Sequence, residues 1–270
     1  MATSTFSPTC TQVSLMKEKG IFPKILDHYQ GLSNDWEYGT IYCTELTKRV
    51  LLNKFPMLKN VISLDYNKEY EIFLNKTKTI KYMVTLFDAN HIAGSAMMLF
   101  KGPLGTFFHT GDSRFDDYMF EEYKVLFPNH LGRRDFVPIL DVGTNTLIKK
   151  TDDTVVCQVP ESIHIDELIL DNTYCDPIFR FPKREQCVQG IFNIISINQP
   201  CDVYISTYNL GKEEILVQLA KVFKTRIVVD SERYKDVISL GFDEKYFTTK
   251  IDQGWIYCMK WKDKTNHIKL

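Results

Sequence analysis

Between Glu167 and Val229 the chain alternates strand-type and helix-type segments, and this most narrows what it can fold into. Glu167 to Leu170 reads as a short buried strand, Arg184 to Ile195 as a helix and Val203 to Ser206 as a strand. Lys212 to Phe223 reads as a second helix and Arg226 to Val229 as a third strand. Strands separated by helices require parallel pairing with helical crossovers, so the fold class is α/β. Upstream, residues 40–55 begin strand-like and turn helical, with Leu46, Val50, Leu51 and Phe55 near one face. Tyr70 to Leu74 and Lys81 to Phe87 read as strands; Ala96 to Phe100 and Thr106 to Thr110, joined by Gly-Pro-Leu-Gly, read as a hairpin. Residues 124–164 contain Pro128, Pro138 and Pro160 and read as an irregular surface insertion. Residues 1 to about 20 form a loose start.

Composition excludes several classes. A hydrophobic fraction of 44% is enough for a packed core, and 33 basic against 34 acidic side chains leave a net charge of -1. A wholly basic nucleic-acid binder is excluded, though a local basic groove is not. No run of apolar residues is long enough to span a membrane, and the polar N-terminus lacks the pattern of a secretory signal. The seven cysteines contain no C-x-x-C pair, which fits a reduced intracellular chain better than a disulfide scaffold or zinc finger.

Four segments could carry chemistry: Asp27-His28; Asp88 to Ser95, with His91 in it; Thr110 to Arg114, with Asp112; and Leu170 to Pro177, with Asp171. His91, Asp112 and Asp171 each follow a strand. Loops at strand ends can converge above a rigid sheet, and imidazole with carboxylate is the ligand chemistry of hydrolytic zinc or manganese sites. Taken singly, each also reads as a turn cap or a satisfied polar group. His109 reads as structural, Cys175 as a small packed residue and Tyr174 as a half-buried aromatic. His130, His164 and the Lys149-Lys150 pair read as surface groups.

Together, DANHIAGSAMMLF, HTGDSR, LDNTYCDP and YNLGKEEILVQLA resemble the DNA cross-link repair nucleases of the metallo-β-lactamase fold that carry a β-CASP insert. The resemblance runs from about Asp27 to about residue 250. It implies an αββα sandwich, incomplete at both ends. Residues 1–166 would be the core portion, with 124–164 inserted, 167–250 the β-CASP region and 251–270 a truncated return to the core. His91 takes the place of a metal ligand and Asp112 that of the acid approaching both metals. Asp171 stands as an active-site acid, and Asp27 and His28 as the last two positions of the family's H-x-H-x-D-H motif. The two leading histidines fall at Pro23 and Ile25, which cannot coordinate a metal. The late histidine of the family has no match, since the surroundings of His267 differ. Zinc, one or two ions, is therefore expected to bind weakly or partially, because a catalytic zinc normally has three protein ligands.

The resemblance also implies a substrate: DNA with a 5′ phosphate. Ser206, Tyr208, Gly211 and Lys212 match the strand-to-helix turn of the family, where backbone N–H groups and a cation would favour phosphate. Lys212 reads equally as a solvated helix-start lysine. Arg114 would contact a phosphate or steady Asp112. The implied function is 5′-to-3′ exonuclease action by metal-assisted hydrolysis in interstrand cross-link repair and telomere-end processing. Asp27 would orient or deprotonate the water, and a telomere-binding protein stands as a partner in the nucleus. Pro23, Ile25 and the unmatched late histidine favour a rival, a non-catalytic DNA-binding relative. An RNA-processing or small-molecule hydrolase of the same fold is a third, weaker reading.

Overall fold

The computed structural model describes residues 24–25, 32–37, 39–73, 78–126, 139–141, 146–148, 163–208 and 210–260. Asp27, His28, Pro23, His130, His267 and Lys149-Lys150 lie outside the described residues.

A three-stranded parallel sheet forms from β1 (Lys24–Ile25), β2 (Ile41–Cys43) and β3 (Val61–Ser63). Helix α1 (Glu45–Lys54) connects β2 to β3. Its N-cap is Thr44, whose hydroxyl accepts from the Thr47 N–H at 3.3 Å. Val50 and Leu51 are buried, and Leu51 joins Ile41, Cys43, Leu58 and Val61 in one cluster.

The second sheet has five strands in the order β10-β7-β6-β5-β4. These are β4 (Glu69–Phe73), β5 (Lys81–Asp88), β6 (Ala96–Gly102), β7 (Gly105–His109) and β10 (Glu167–Ile169). The hairpin expected through Gly-Pro-Leu-Gly is present, with Gly102 opposite Gly105. Both faces of this sheet are covered. Leu86, Ala96 and Met98 pack with Tyr82 and Val84 on one side; Phe87, Met97 and Leu99 pack with Phe108 on the other. The alternation within β6 follows from side chains pointing to opposite faces at every second residue. Helix α2 (Asp117–Glu122) contributes Met119 to the second of these clusters.

Of the described residues between 124 and 164, Leu126 is buried, Ile163 packs on the same core, and β8 (Ile139–Asp141) pairs antiparallel with β9 (Thr146–Ile148).

The third sheet is parallel throughout, in the order β11-β14-β12-β13, from β11 (Val203–Thr207), β12 (Ile227–Val228), β13 (Phe247–Thr248) and β14 (Ile256–Lys260). Helices α3 (Arg184–Ile197), α4 (Glu213–Val222) and α5 (Ser231–Ser239) accompany it, as the alternating pattern requires. Ile195, Leu216, Leu219, Ile227, Val237, Phe247 and Ile256 form its core. β10 pairs parallel with β7 and so belongs to the second sheet. β14, within the stretch 251–270, lies between β11 and β12. Strand partners far apart in sequence leave no local pattern.

Candidate functional site

Strands β5 and β7 are both antiparallel to β6, and β10 is parallel to β7. The three strands therefore end at one edge of the sheet. The segments after them carry His91, Asp112 and Asp171, which therefore all start from that edge.

The His91 loop is held by backbone and hydroxyl contacts. Ser95 Oγ accepts from the N–H groups of His91 (3.3 Å) and Ile92 (3.2 Å), and Asp88 Oδ1 accepts from Asn90 N–H at 2.9 Å. Gly94 takes φ +88°, and a Cβ there would lie 2.8 Å from Thr47 Oγ1. Only glycine combines that dihedral with that approach. The Gly94 carbonyl accepts from the hydroxyls of Thr44 (2.8 Å) and Thr47 (2.9 Å), fastening the loop to the start of α1. Tyr66 donates its hydroxyl to Ser95 O at 2.7 Å, and burial pushes the Tyr66 phenol above its usual range. Tyr123, whose hydroxyl accepts from Asp88 N–H, is pushed up to about 12, mainly by burial.

Asn90 was not singled out by the sequence, yet it is the hub of this edge. It adopts φ +53°, a left-handed conformation that asparagine tolerates. Its Nδ2 donates to Arg114 O (3.0 Å) and Asp116 Oδ2 (3.2 Å), while Arg114 N–H donates to Ala89 O at 2.9 Å. From α3, Arg184 donates to Asn90 Oδ1 at 2.7 Å and to the Asn90 carbonyl. The only sequence signal for Arg184 was its place at the start of a helix-type segment.

The other candidates divide. His91 is exposed and Asp112 half-buried on neighbouring turns. Asp171 is a turn cap: its Oδ1 accepts from Thr173 N–H (3.0 Å) and Thr173 Oγ1 (2.6 Å). Its own N–H donates to Thr110 Oγ1 at 2.9 Å, so it is part of the same edge. His109 orders the adjacent turn, with Nδ1 accepting from Gly111 N–H at 2.8 Å. Arg114 Nη2 donates to Pro182 O at 3.3 Å, drawing the segment before α3 against the site. Cys175, expected to be packed, is exposed. Tyr174 is 61% exposed rather than half-buried and meets Phe179 and Phe181 edge-on, at 5.3 and 5.0 Å between ring centroids. The chain swings out between β10 and α3, so this apolar run has no sheet to cover it.

The strand-to-helix turn approaches from the third sheet. Gly211, at φ +95°, sits so close to Ile92 that a Cβ would lie 2.9 Å from Ile92 Cγ2. The turn bearing Tyr208, Gly211 and Lys212 thus abuts the His91 loop. Lys212 is exposed in the left-handed conformation (φ +72°) as the N-cap of α4, and Tyr208 is 82% exposed. Ser206 Oγ is buried without a hydrogen-bond partner among the described residues.

Behind the turn lies a group that sequence reasoning missed. Arg233 of α5 is buried and donates to Thr207 Oγ1 (2.7 Å), Tyr208 O (2.7 Å), Gly211 O (3.1 Å) and Glu213 Oε1 (2.9 Å). Burial holds the Glu213 carboxyl above its ordinary value, although the Arg233 charge works the other way.

As metal donors, His91 and Asp112 suit zinc by type. Among the described residues, however, no group of three or more His, Cys, Asp or Glu side chains is placed to hold a metal ion. Among those residues, too, no helix is long and apolar enough to cross a membrane.

The chain is 34% identical over 231 residues to 5′ exonuclease Apollo of Danio rerio, covering 85% of this chain and 34% of that protein. It is 31% identical over 234 residues to 5′ exonuclease Apollo of Rattus norvegicus, covering 86% of this chain and 37% of that protein. It is also similar to the human DNA cross-link repair 1A protein, 29% identical over 223 residues, or 81% of this chain and 17% of that one. The chain spans about a third of the length of the Apollo relatives. No family model matches it.

Proposed function

We propose that this chain is the catalytic portion of a metal-dependent 5′-to-3′ DNA exonuclease of metallo-β-lactamase/β-CASP architecture. Its proposed role is nuclear, in interstrand cross-link repair and telomere-end processing, with a telomere-binding protein as a further partner. The observation that carries the reading is the meeting of two loops: Gly211, beside Lys212, lies against Ile92, beside His91. A strand whose 5′ phosphate lies on the Lys212 turn would have its first linkage over the edge that bears His91 and Asp112.

In this reading the Lys212 ammonium and the N–H groups at the start of α4 bind the 5′ phosphate. The Ser206 hydroxyl, buried behind the turn, would join them only once uncovered, and Tyr208 offers a ring face to a base. Arg114 holds the loop after Asp112 in place. His91 and Asp112, with Asp27 and His28, would hold zinc, which supplies Lewis-acid polarisation of the phosphate and a more acidic water. Asp27 would orient a water and accept its proton, and Asp171 caps the turn after β10 at the same edge.

The test is release of mononucleotides from a 5′-phosphorylated single strand in the presence of zinc. A 5′-hydroxyl strand is the comparison. Asp112→Ala is expected to abolish release while leaving the circular dichroism spectrum unchanged; retained release would mean that the site is misplaced.

Pro23 and Ile25, and the absence of a three-ligand cluster among the described residues, favour a second reading, a DNA-binding relative without hydrolysis. It predicts no release by the unaltered chain, but weaker binding of the 5′-phosphorylated strand by Lys212→Gln.

A further inference from the structure

At the far end of α4 from Lys212 lies a cleft of ≈ 770 Å³. Four cations line it: Lys221 and Lys224 from the end of α4, Arg226 from the residue before β12, and Lys245 from the turn Glu244–Tyr246. Trp255 and Gly254, just ahead of β14, close another side. Those are the N-terminal ends of β12 and β14. A helix of ten residues is about 15 Å long. The cleft is therefore at the opposite edge of the sheet from the candidate site.

The charges are not balanced within the cleft. Lys245 is paired, 2.5 Å from Asp243, and Asp252 is a lining carboxylate. Arg226 is held by neutral acceptors, Gln253 Oε1 at 2.8 Å and Glu244 O at 3.2 Å, and its Nε is buried with no partner among the described residues. Its full charge is fixed at the cleft wall. Lys221 and Lys245 both lie over the Tyr246 ring, at 5.3 and 4.8 Å from the centroid, which positions their ammonium groups without neutralising them.

Attraction to the helix C-terminus accounts for Lys221 and Lys224 but not for Arg226 or Lys245, which come from other segments. Lys224 adds a second observation. It has φ +50°, and Thr225 N–H donates to Ala220 O at 3.2 Å across it. That is the helix-ending position that glycine fills without steric cost. A lysine there keeps backbone strain in exchange for a cation at the rim.

We propose that this cleft binds the phosphate groups of a polyanion carrying at least two of them. Guanidinium and ammonium donors converging from three segments match phosphate oxygens, and the bound anion would relieve their mutual repulsion. The phosphates could be supplied by a free polyphosphate or by the backbone of a DNA strand, and the experiment separates these. The inference does not depend on the nuclease reading.

Titrate the 270-residue chain with sodium tripolyphosphate by calorimetry. Saturable binding is expected, weakened at least about tenfold in the double variant Lys221→Gln/Lys224→Gln. The control double variant Lys59→Gln/Lys124→Gln removes the same charge elsewhere and should stay within about twofold, since unspecific attraction follows net charge alone. Lys224→Gly should raise the melting temperature without ligand yet reduce the shift that tripolyphosphate produces, two effects of opposite sign that a folding defect cannot give.

A 5′-phosphorylated dT20 strand identifies the source. If its binding falls in the cleft variant and tripolyphosphate competes with it, the strand supplies the phosphates; if its binding is unchanged, a free polyphosphate does. The proposal is overturned if tripolyphosphate does not bind or if both double variants lose binding equally. Loss of that binding in Lys212→Gln would overturn it as well, by placing the anion at the other edge.

Discussion

At the residue scale, Arg233 sets the shape of the turn that faces the His91 loop. One guanidinium satisfies two carbonyls, a hydroxyl and a carboxylate, all within the segment Thr207 to Glu213. Removing one member of a buried ion pair leaves the other uncompensated, typically at about 3–5 kcal/mol. Arg233→Met is expected to cost that much in urea unfolding, a large share of the stability of any domain. Nothing local marks Arg233 in the sequence; burial of an arginine is decided by what packs around it. Gly94 and Asn90 are the contrast. A left-handed dihedral demands particular residue types, so the segment that holds them is conspicuous in the sequence. Burial also sorts the cysteines. The Cys43 thiol is pushed up to about 12 by burial, and Cys258 is raised for the same reason. Since the thiolate is the nucleophile, iodoacetamide at neutral pH should label exposed Cys175 and Cys201 well before either buried thiol. Mass spectrometry of the peptides checks this, and early labelling of Cys43 would show that α1 opens readily.

At the element scale, helices α1 and α5 meet across the first and third sheets. Asn53 Nδ2 donates to Ser239 Oγ (2.5 Å) and to Lys235 O (3.3 Å), and Lys54 lies 3.8 Å from Glu232. Asp236 belongs to this contact. Burial raises its pKa above the ordinary value, against the hydrogen bond from Asn53. The folded chain therefore keeps this proton to higher pH than the unfolded chain. Its contribution is fully present below the unfolded value of about 3.9 and is lost as pH rises through the folded value. Asp236→Asn should flatten that part of the stability profile, read as urea midpoints from pH 4 to 7; an unchanged slope would remove Asp236 as its source. The elements themselves were legible wherever pattern is local: the hairpin of β6 and β7, and the helices α3 and α4. The pairing of β10 with β7 and of β14 with β11 and β12 was not, because strand partners distant in sequence are chosen by packing rather than by local pattern.

At the scale of the whole molecule, the candidate site is made by joining two separately cored sheets. Its carboxylate and imidazole come from the second sheet and its Lys212 turn from the third. The sequence displayed both halves as motifs but not the ties between them, because Asn90 and Arg184 are 94 positions apart. If Pro23 and Ile25 leave the metal site short of ligands, metal analysis of the 270-residue chain should find fewer than two equivalents of zinc. Two tightly held ions would overturn that expectation and show that ligands beyond His91, Asp112, Asp27 and His28 complete the site. The tie itself can be measured by a double-mutant cycle. Asn90→Gly accepts the left-handed dihedral and deletes only the side chain, while Arg184→Ala removes the guanidinium from both of its acceptors on Asn90. A coupling energy of about 0.5–3 kcal/mol is expected if the Asn90 side chain joins the sheets through Arg184. A coupling near zero would assign the joining to the contact of Gly211 with Ile92. Amide exchange in Ile92 to Ser95 should then rise in Arg184→Ala only if this tie holds the His91 loop closed.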